Sequence, residues 1–168
     1  GLGLPLVREL MDRMGGTVSL ESTTTIGTTV TLNLPAARPD AVTTAQRDHV
    51  LLVEDNLQLA RVTARLLEQS GMQVRHVSDG AEALKLLAEG VGFACILLDL
   101  NLPRASGRDV LQFLSVIEQR PPVVVFTSED VSQIEAELRG LGAYAVLAKP
   151  FRGQDLVKLL RAGIKSAA

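Results

Sequence analysis

Tryptophan is absent from this chain, and its aromatic complement is one Tyr and four Phe in 168 residues. A surface that stacks nucleobases needs several rings, so single-stranded nucleic-acid binding is not expected. An excess of one charge sign is missing too. Seventeen Lys and Arg stand against nineteen Asp and Glu, a formal charge of −2, without the basic surplus that a phosphate backbone attracts. There is one cysteine, Cys95, set in an apolar run. It has no partner for an internal disulfide, which fits a reducing compartment and the role of a small buried hydrophobe. No apolar run reaches the roughly 20 residues that span a bilayer, and no signal-peptide pattern is visible. The expectation is a cytoplasmic segment with no membrane contact of its own, whatever anchor its parent carries. The chain starts on Gly rather than Met, so it is expected to be a piece of something longer.

What is present is a core-forming composition. Apolar residues make up 46% of the chain, which argues against disorder. Residues 36–48 (AARPDAVTTAQRD) lack an apolar period and read as a linker between a short N-terminal piece and a compact C-terminal one. The C-terminal piece alternates strand and helix signals. Short apolar runs at 49–54, 73–77, 93–98, 122–126 and 145–148 predict strands. Helical periods are predicted over 56–70, 81–89, 107–119, 132–141 and 153–162. The runs FACILL and PVVVF are apolar throughout, as strands buried on both faces are. Five strands alternating with five helices imply an α/β fold with a doubly wound parallel sheet. In such a sheet the reaction site lies beyond the carboxyl ends of the strands.

Polar residues collect at those ends. The first strand runs into Glu54 and Asp55, the third into Asp99, the fourth into Thr127 and Ser128, the fifth into Lys149 and Pro150. Three carboxylates brought together repel one another unless a cation intervenes, and Mg²⁺ suits a small oxygen-rich cluster. A Lys and a hydroxyl beside it can neutralise a phosphoryl group in transfer, and a carboxylate can be the nucleophile. Taken singly, each residue has a plainer reading. Asp after a strand is usually a turn or cap residue, Thr127–Ser128 and Glu54–Asp55 could cap the following helices, and Lys149 could be a solvated loop charge. The joint occurrence on four strand ends favours the chemical reading.

The stretches VLLVEDN (50–56), ILLDLNLPRASG (96–107), VVVFTSED (123–130) and GAYAVLAKPF (142–151) closely resemble the receiver domains of bacterial response regulators and hybrid sensor kinases. The resemblance covers residues 49–166. It implies a flavodoxin-like sheet of strand order 2-1-3-4-5, with Asp99 as phosphoacceptor. It also implies Mg²⁺ held by Asp55, Asp99 and the Asn101 backbone carbonyl, with Glu54 acting through water. Thr127 and Lys149 would contact the phosphoryl oxygens, and Pro103 and Gly107 would shape the loop after the acceptor. The implied partner is a phosphohistidine of a histidine kinase or histidine phosphotransfer domain. One position departs from the family: Val146 stands where a switching Tyr or Phe is frequent, and Tyr144 lies two residues earlier.

Upstream, GLGL (1–4), MGG (14–16), Glu21–Ser22 and IGTTVTLNLP (26–35) resemble the end of the ATP-binding domain of sensor histidine kinases. Gly1 and Gly3 would then be a remnant of the glycine box beside the nucleotide phosphates. The segments expected to bind adenine and metal are missing, so autokinase activity is not expected. The implied organisation is a remnant at 1–35 made of a helix and strands, a linker at 36–48 and a receiver at 49–168. The order points to a hybrid sensor kinase as the parent, with dimerisation belonging to that parent. Two other classes compete. A degenerate receiver acting only as an interaction module should have lost an acid or the Lys. An aspartate-nucleophile phosphatase should carry a second Asp two residues after the first, where this chain has Asn101.

Overall fold

The computed structural model describes residues 7–8, 11–12, 16–23, 27–33, 49–117 and 119–167. Gly1, Gly3 and the linker lie outside the described residues. In the N-terminal piece, Val7, Arg8, Met11 and Asp12 are helical. Strands β1 (Thr17–Thr23) and β2 (Gly27–Asn33) pair antiparallel, from Thr17 opposite Asn33 to Thr23 opposite Gly27. Leu20 faces Val30 across the pair, and both are about half exposed.

The second sheet contains β3 (His49–Val53), β4 (Gln73–Val77), β5 (Cys95–Leu98), β6 (Val123–Thr127) and β7 (Ala145–Ala148). All pairs are parallel and the order is β4-β3-β5-β6-β7. Counted from β3, this is the expected 2-1-3-4-5. Period-two alternation sends Leu51, Val53, Ile96, Leu98, Val123 and Val125 to one face and Val50, Leu52, Cys95, Leu97, Val124 and Phe126 to the other. Helices α1 (Leu57–Gln69) and α5 (Gly153–Ser166) cover the second face through Ala60, Leu67, Leu156 and Leu160. Helices α2 (Gly80–Ala88), α3 (Gly107–Ser115) and α4 (Val131–Gly140) cover the first through Leu84, Val110, Leu114 and Leu138. Cys95 is fully buried, and burial pushes its thiol up to about 12, so it is inert.

The starts of α1 to α4 are written in side chains, whereas α5 begins without a side-chain cap. The Asn56 side-chain oxygen Oδ1 accepts from the N–H groups of Gln58 (3.0 Å) and Leu59 (3.1 Å). Asp79 caps α2, Asp130 caps α4, and Ser106 with Asp109 forms a reciprocal capping box on α3. Asn56 and Asp130 thus do the capping, which leaves Glu54, Asp55 and Thr127 free of that duty. Two helix ends differ from the periodic reading. Helix α3 stops at Ser115 rather than 119, because the Ile117 N–H turns back to the Leu114 carbonyl (3.1 Å) and Pro121–Pro122 favours extended chain ahead of β6. Helix α5 runs past Gly163 to Ser166. There the missing Cβ lets Pro122 and Tyr144 pack closely, since a Cβ would lie 3.3 Å from each.

Candidate functional site

The parallel register brings the four polar strand ends to one edge. Glu54 and Asp55 follow β3 and Asp99 follows β5, and a carboxylate oxygen from each lies within 4.8 Å of the others. Glu54 and Asp99 are buried, whereas Asp55 faces solvent. Lys149, arriving from β7, places Nζ 2.8 Å from Asp99 Oδ2 and 2.8 Å from Glu54 Oε2. Thr127, the last residue of β6, is fully buried.

Backbone donors hold these groups in place. Asp99 Oδ1 accepts from the Leu100 N–H at 2.7 Å and the Asn101 N–H at 3.4 Å. Glu54 Oε1 accepts from the Asn56 N–H at 3.0 Å, and His76 Nε2 sits 2.8 Å from the Glu54 carbonyl oxygen. Thr127 Oγ1 accepts from the Glu129 N–H at 3.1 Å. The Lys149 N–H donates to the Thr127 carbonyl at 2.7 Å, so the ends of β6 and β7 are tied together.

The electrostatics follow from burial. Desolvation pushes the Glu54 carboxyl above its ordinary value. The hydrogen bonds from Lys149 and the Asn56 N–H, with the Lys149 charge, oppose that rise, and the Asp99 charge adds to it. Lys149 therefore serves two carboxylates at once, and a further cation would relieve the cluster. The donor set fits Mg²⁺. Three carboxylate oxygens within 4.8 Å of one another are the hard, oxygen-only donors that this ion takes.

Glu54, Asp55, Asp99, Thr127 and Lys149 all stand at this edge, and Asn101 is tied to it through its N–H. Gly1 and Gly3 lie outside the described residues. Three neighbours escaped the sequence reading. Arg104, with a positive φ of 66°, pairs with buried Asp79 and joins the β5–α3 loop to the β4–α2 loop. Arg108 makes a two-point ion pair with Glu129 (3.0 and 3.1 Å) and also reaches Glu137 (3.0 Å), tying α3 to the β6–α4 loop and α4. Phe126 lies beneath the Lys149 ammonium, 4.4 Å from ring centroid to Nζ. The Asp-Gly pair ahead of a helix and the aromatic before Thr127 were the only traces of these in the sequence.

Tyr144 packs with the α1–α5 face and Val146 with the opposite one. A side chain at 146 and one at 144 therefore answer to different helices.

Residues 50–161 match the response regulator receiver domain, and residues 1–38 match the histidine kinase-, DNA gyrase B- and HSP90-like ATPase family. An uncharacterised transcriptional regulatory protein, YkoG of Bacillus subtilis, is 34% identical over 120 residues, covering 71% of this chain and 52% of its own. The sensor protein TorS of Escherichia coli is 34% identical over 170 residues, covering 95% of this chain and 18% of its own. The chain thus spans about half the length of the first relative and under a fifth of the second. Among solved structures, the receiver domain of a Pseudomonas aeruginosa sensor histidine kinase, with a magnesium ion coordinated in its active site cleft, superposes with a TM-score of 0.63 at 29% identity. It covers 70% of this chain and 98% of that one. With the receiver match spanning 112 residues and the sheet in the receiver order, the chain belongs to the response regulator receiver domain family.

Proposed function

We propose that Asp99 is the phosphoacceptor of a phosphorelay, taking its phosphoryl group from a phosphohistidine. The observation that carries this is Lys149 Nζ held 2.8 Å from both Asp99 and Glu54, beside the exposed Asp55 carboxylate. In the transfer, an Asp99 carboxylate oxygen attacks phosphorus, a P–O bond forms, the P–N bond breaks, and the imidazole leaves with the bonding pair. Asp55, Asp99 and the Asn101 carbonyl would hold Mg²⁺, with Glu54 reaching it through water. When bound, the ion neutralises charge on the transferring phosphoryl oxygens.

The chain's own residues do the rest. The Leu100 and Asn101 N–H groups fix one Asp99 oxygen and so aim the other. Lys149 exchanges a carboxylate partner for a phosphoryl oxygen, and the Thr127 hydroxyl turns from the Glu129 N–H to donate to another. Movement of Thr127 pulls on the loop that Arg108 anchors through Glu129. Output then runs through residues 127–131 and helix α4 rather than through an aromatic at Val146.

The parent reading is a hybrid sensor kinase. Residues 1–35 would be the end of its ATP-binding domain, 36–48 a linker and 49–168 the receiver. The supports are the two family matches in that order and the similarity to TorS across 95% of the chain. Among the described residues no helix is long and apolar enough to cross a membrane.

Incubation with acetyl phosphate and Mg²⁺, followed by intact mass, tests the acceptor. A labile phosphoryl adduct is expected on the native chain and none on Asp99→Asn. The same adduct on Asp99→Asn overturns the assignment. Amide shifts with beryllofluoride test the output, with large changes expected at residues 127–131 and small ones at Tyr144 and Val146. A dominant change at Tyr144 would move the switch to the α5 face.

A further inference from the structure

Lys149 has the longest stem of the site and the fewest constraints of its own. An ammonium on four methylenes has three rotatable donors and no preferred plane. Of its two carboxylate partners, Asp99 loses its charge distribution when it becomes an acyl phosphate, which leaves Glu54 alone among the carboxylates. A contact that does not change in the reaction would help hold the cation at the strand ends.

Phe126 is placed to do so. It is the penultimate residue of β6, one before Thr127, and its side chain is fully buried on the α1–α5 face. Lys149 Nζ stands 4.4 Å from its ring centroid, and the Lys149 side chain is only 14% exposed. Phe151, two residues after Lys149, meets the same ring edge-on, with centroids 5.9 Å apart and planes at 71°. The ring is thereby locked by a neighbour from the loop that carries the lysine. An ammonium with little water around it gains most from the negative face of a ring. An aliphatic side chain would fill the same core space without that attraction.

We infer that Phe126 is a positioning residue for phosphoryl transfer. Its ring face holds the Lys149 ammonium over the strand ends, so that the cation meets the incoming phosphoryl oxygens without a search. This rests on the proposed role of Lys149, and the experiment separates the two.

Phe126 is replaced, by site-specific incorporation in the full chain, with 4-fluoro-, 3,5-difluoro- and 3,4,5-trifluorophenylalanine. The series drains negative charge from the ring face while nearly preserving its shape. The rate of adduct formation with acetyl phosphate at saturating Mg²⁺ is read by intact mass, in the native background and in Lys149→Gln. The expected result is a stepwise fall in log rate with fluorine number, reaching roughly three- to tenfold for the trifluoro ring. In Lys149→Gln the rate is low and independent of fluorination. Equal rates along the series in the native background, with Lys149→Gln slow, overturn the role of Phe126 and leave that of Lys149 standing. A Lys149→Gln chain as fast as the native one overturns the role of Lys149 itself. Urea midpoints along the series guard the reading: a fall in rate that tracks loss of stability also in Lys149→Gln assigns Phe126 to packing alone.

Discussion

Gly107→Ala tests how closely the acceptor strand is gripped by the helix that follows it. Gly107 opens α3, and its N–H donates to the Leu100 carbonyl at 2.9 Å, closing the loop after Asp99. A Cβ built there would overlap the Asp99 carbonyl oxygen and lie 2.8 Å from Leu100 Cα and 2.9 Å from the Asp99 carbonyl carbon. All three are backbone atoms, so no side chain can rotate away. Overpacking of this kind costs about 1–3 kcal/mol. Against it stands the usual benefit of Ala over Gly, about 0.4–1 kcal/mol from the less flexible unfolded chain. The net expectation is a loss of roughly 1–2 kcal/mol. At a urea slope of about 2 kcal/mol/M, the midpoint falls by on the order of 0.5–1 M. Gly140 is the control. It ends α4 with nothing within 4 Å of a built Cβ, so Gly140→Ala should be neutral or stabilising. Because the displaced atoms belong to Asp99 and Leu100, Gly107→Ala should also slow phosphate uptake by more than its stability loss explains. Urea unfolding of both variants decides the matter. A Gly107→Ala chain as stable as Gly140→Ala would refute the steric argument.

Glu54→Gln carries a pH signature. Burial raises the folded-state value above the ordinary 4.5. The associated stability is therefore fully present below about pH 4.5 and lost as the pH climbs through the raised value. Midpoints measured without Mg²⁺ should show Glu54→Gln gaining on the native chain from pH 4.5 to 7, and a growing deficit instead would contradict the sign. Arg108 and Glu129 are each about one-third exposed, so a double-mutant cycle with Ala should give a coupling of about 0.5–1 kcal/mol that shrinks in 1 M salt. A coupling insensitive to salt would show that the pair acts through packing. Amide exchange should be fast in β1 and β2, whose Leu20–Val30 pair is half exposed, and slow in fully buried β5. Equal protection would mean that the hairpin is covered by a partner surface.

Strand positions were legible because a strand buried on both faces is apolar throughout, and CILL and VVVF have no competing helical period. The site was legible for a related reason: the first polar residue after such a run lies at the sheet edge. Helix lengths were less so. Residues 116–119 are as helix-compatible as those before them, and only the need to turn toward Pro121–Pro122 ends α3. Gly163 looks like a stop in sequence and acts as a packing notch in space. The Asp79–Arg104 and Arg108–Glu129 pairs join segments whose approach depends on loop geometry, and no local pattern announces them. In sequence Phe126 is one more apolar residue of a buried run, and its relation to a cation just past the end of the neighbouring strand is invisible in one dimension.

The Lys149–Glu54 contact joins residues 95 apart in the chain, and the Lys149–Asp99 contact residues 50 apart. Between them lie parallel crossovers, the connections whose closure is slow. The acids at the ends of β3 and β5 would repel one another alone, and their cation is carried by the edge strand β7. On the proposed role of Lys149, a chain in which β7 has not joined the sheet lacks the cation of its site, so uptake of phosphate would report that the edge strand is in place.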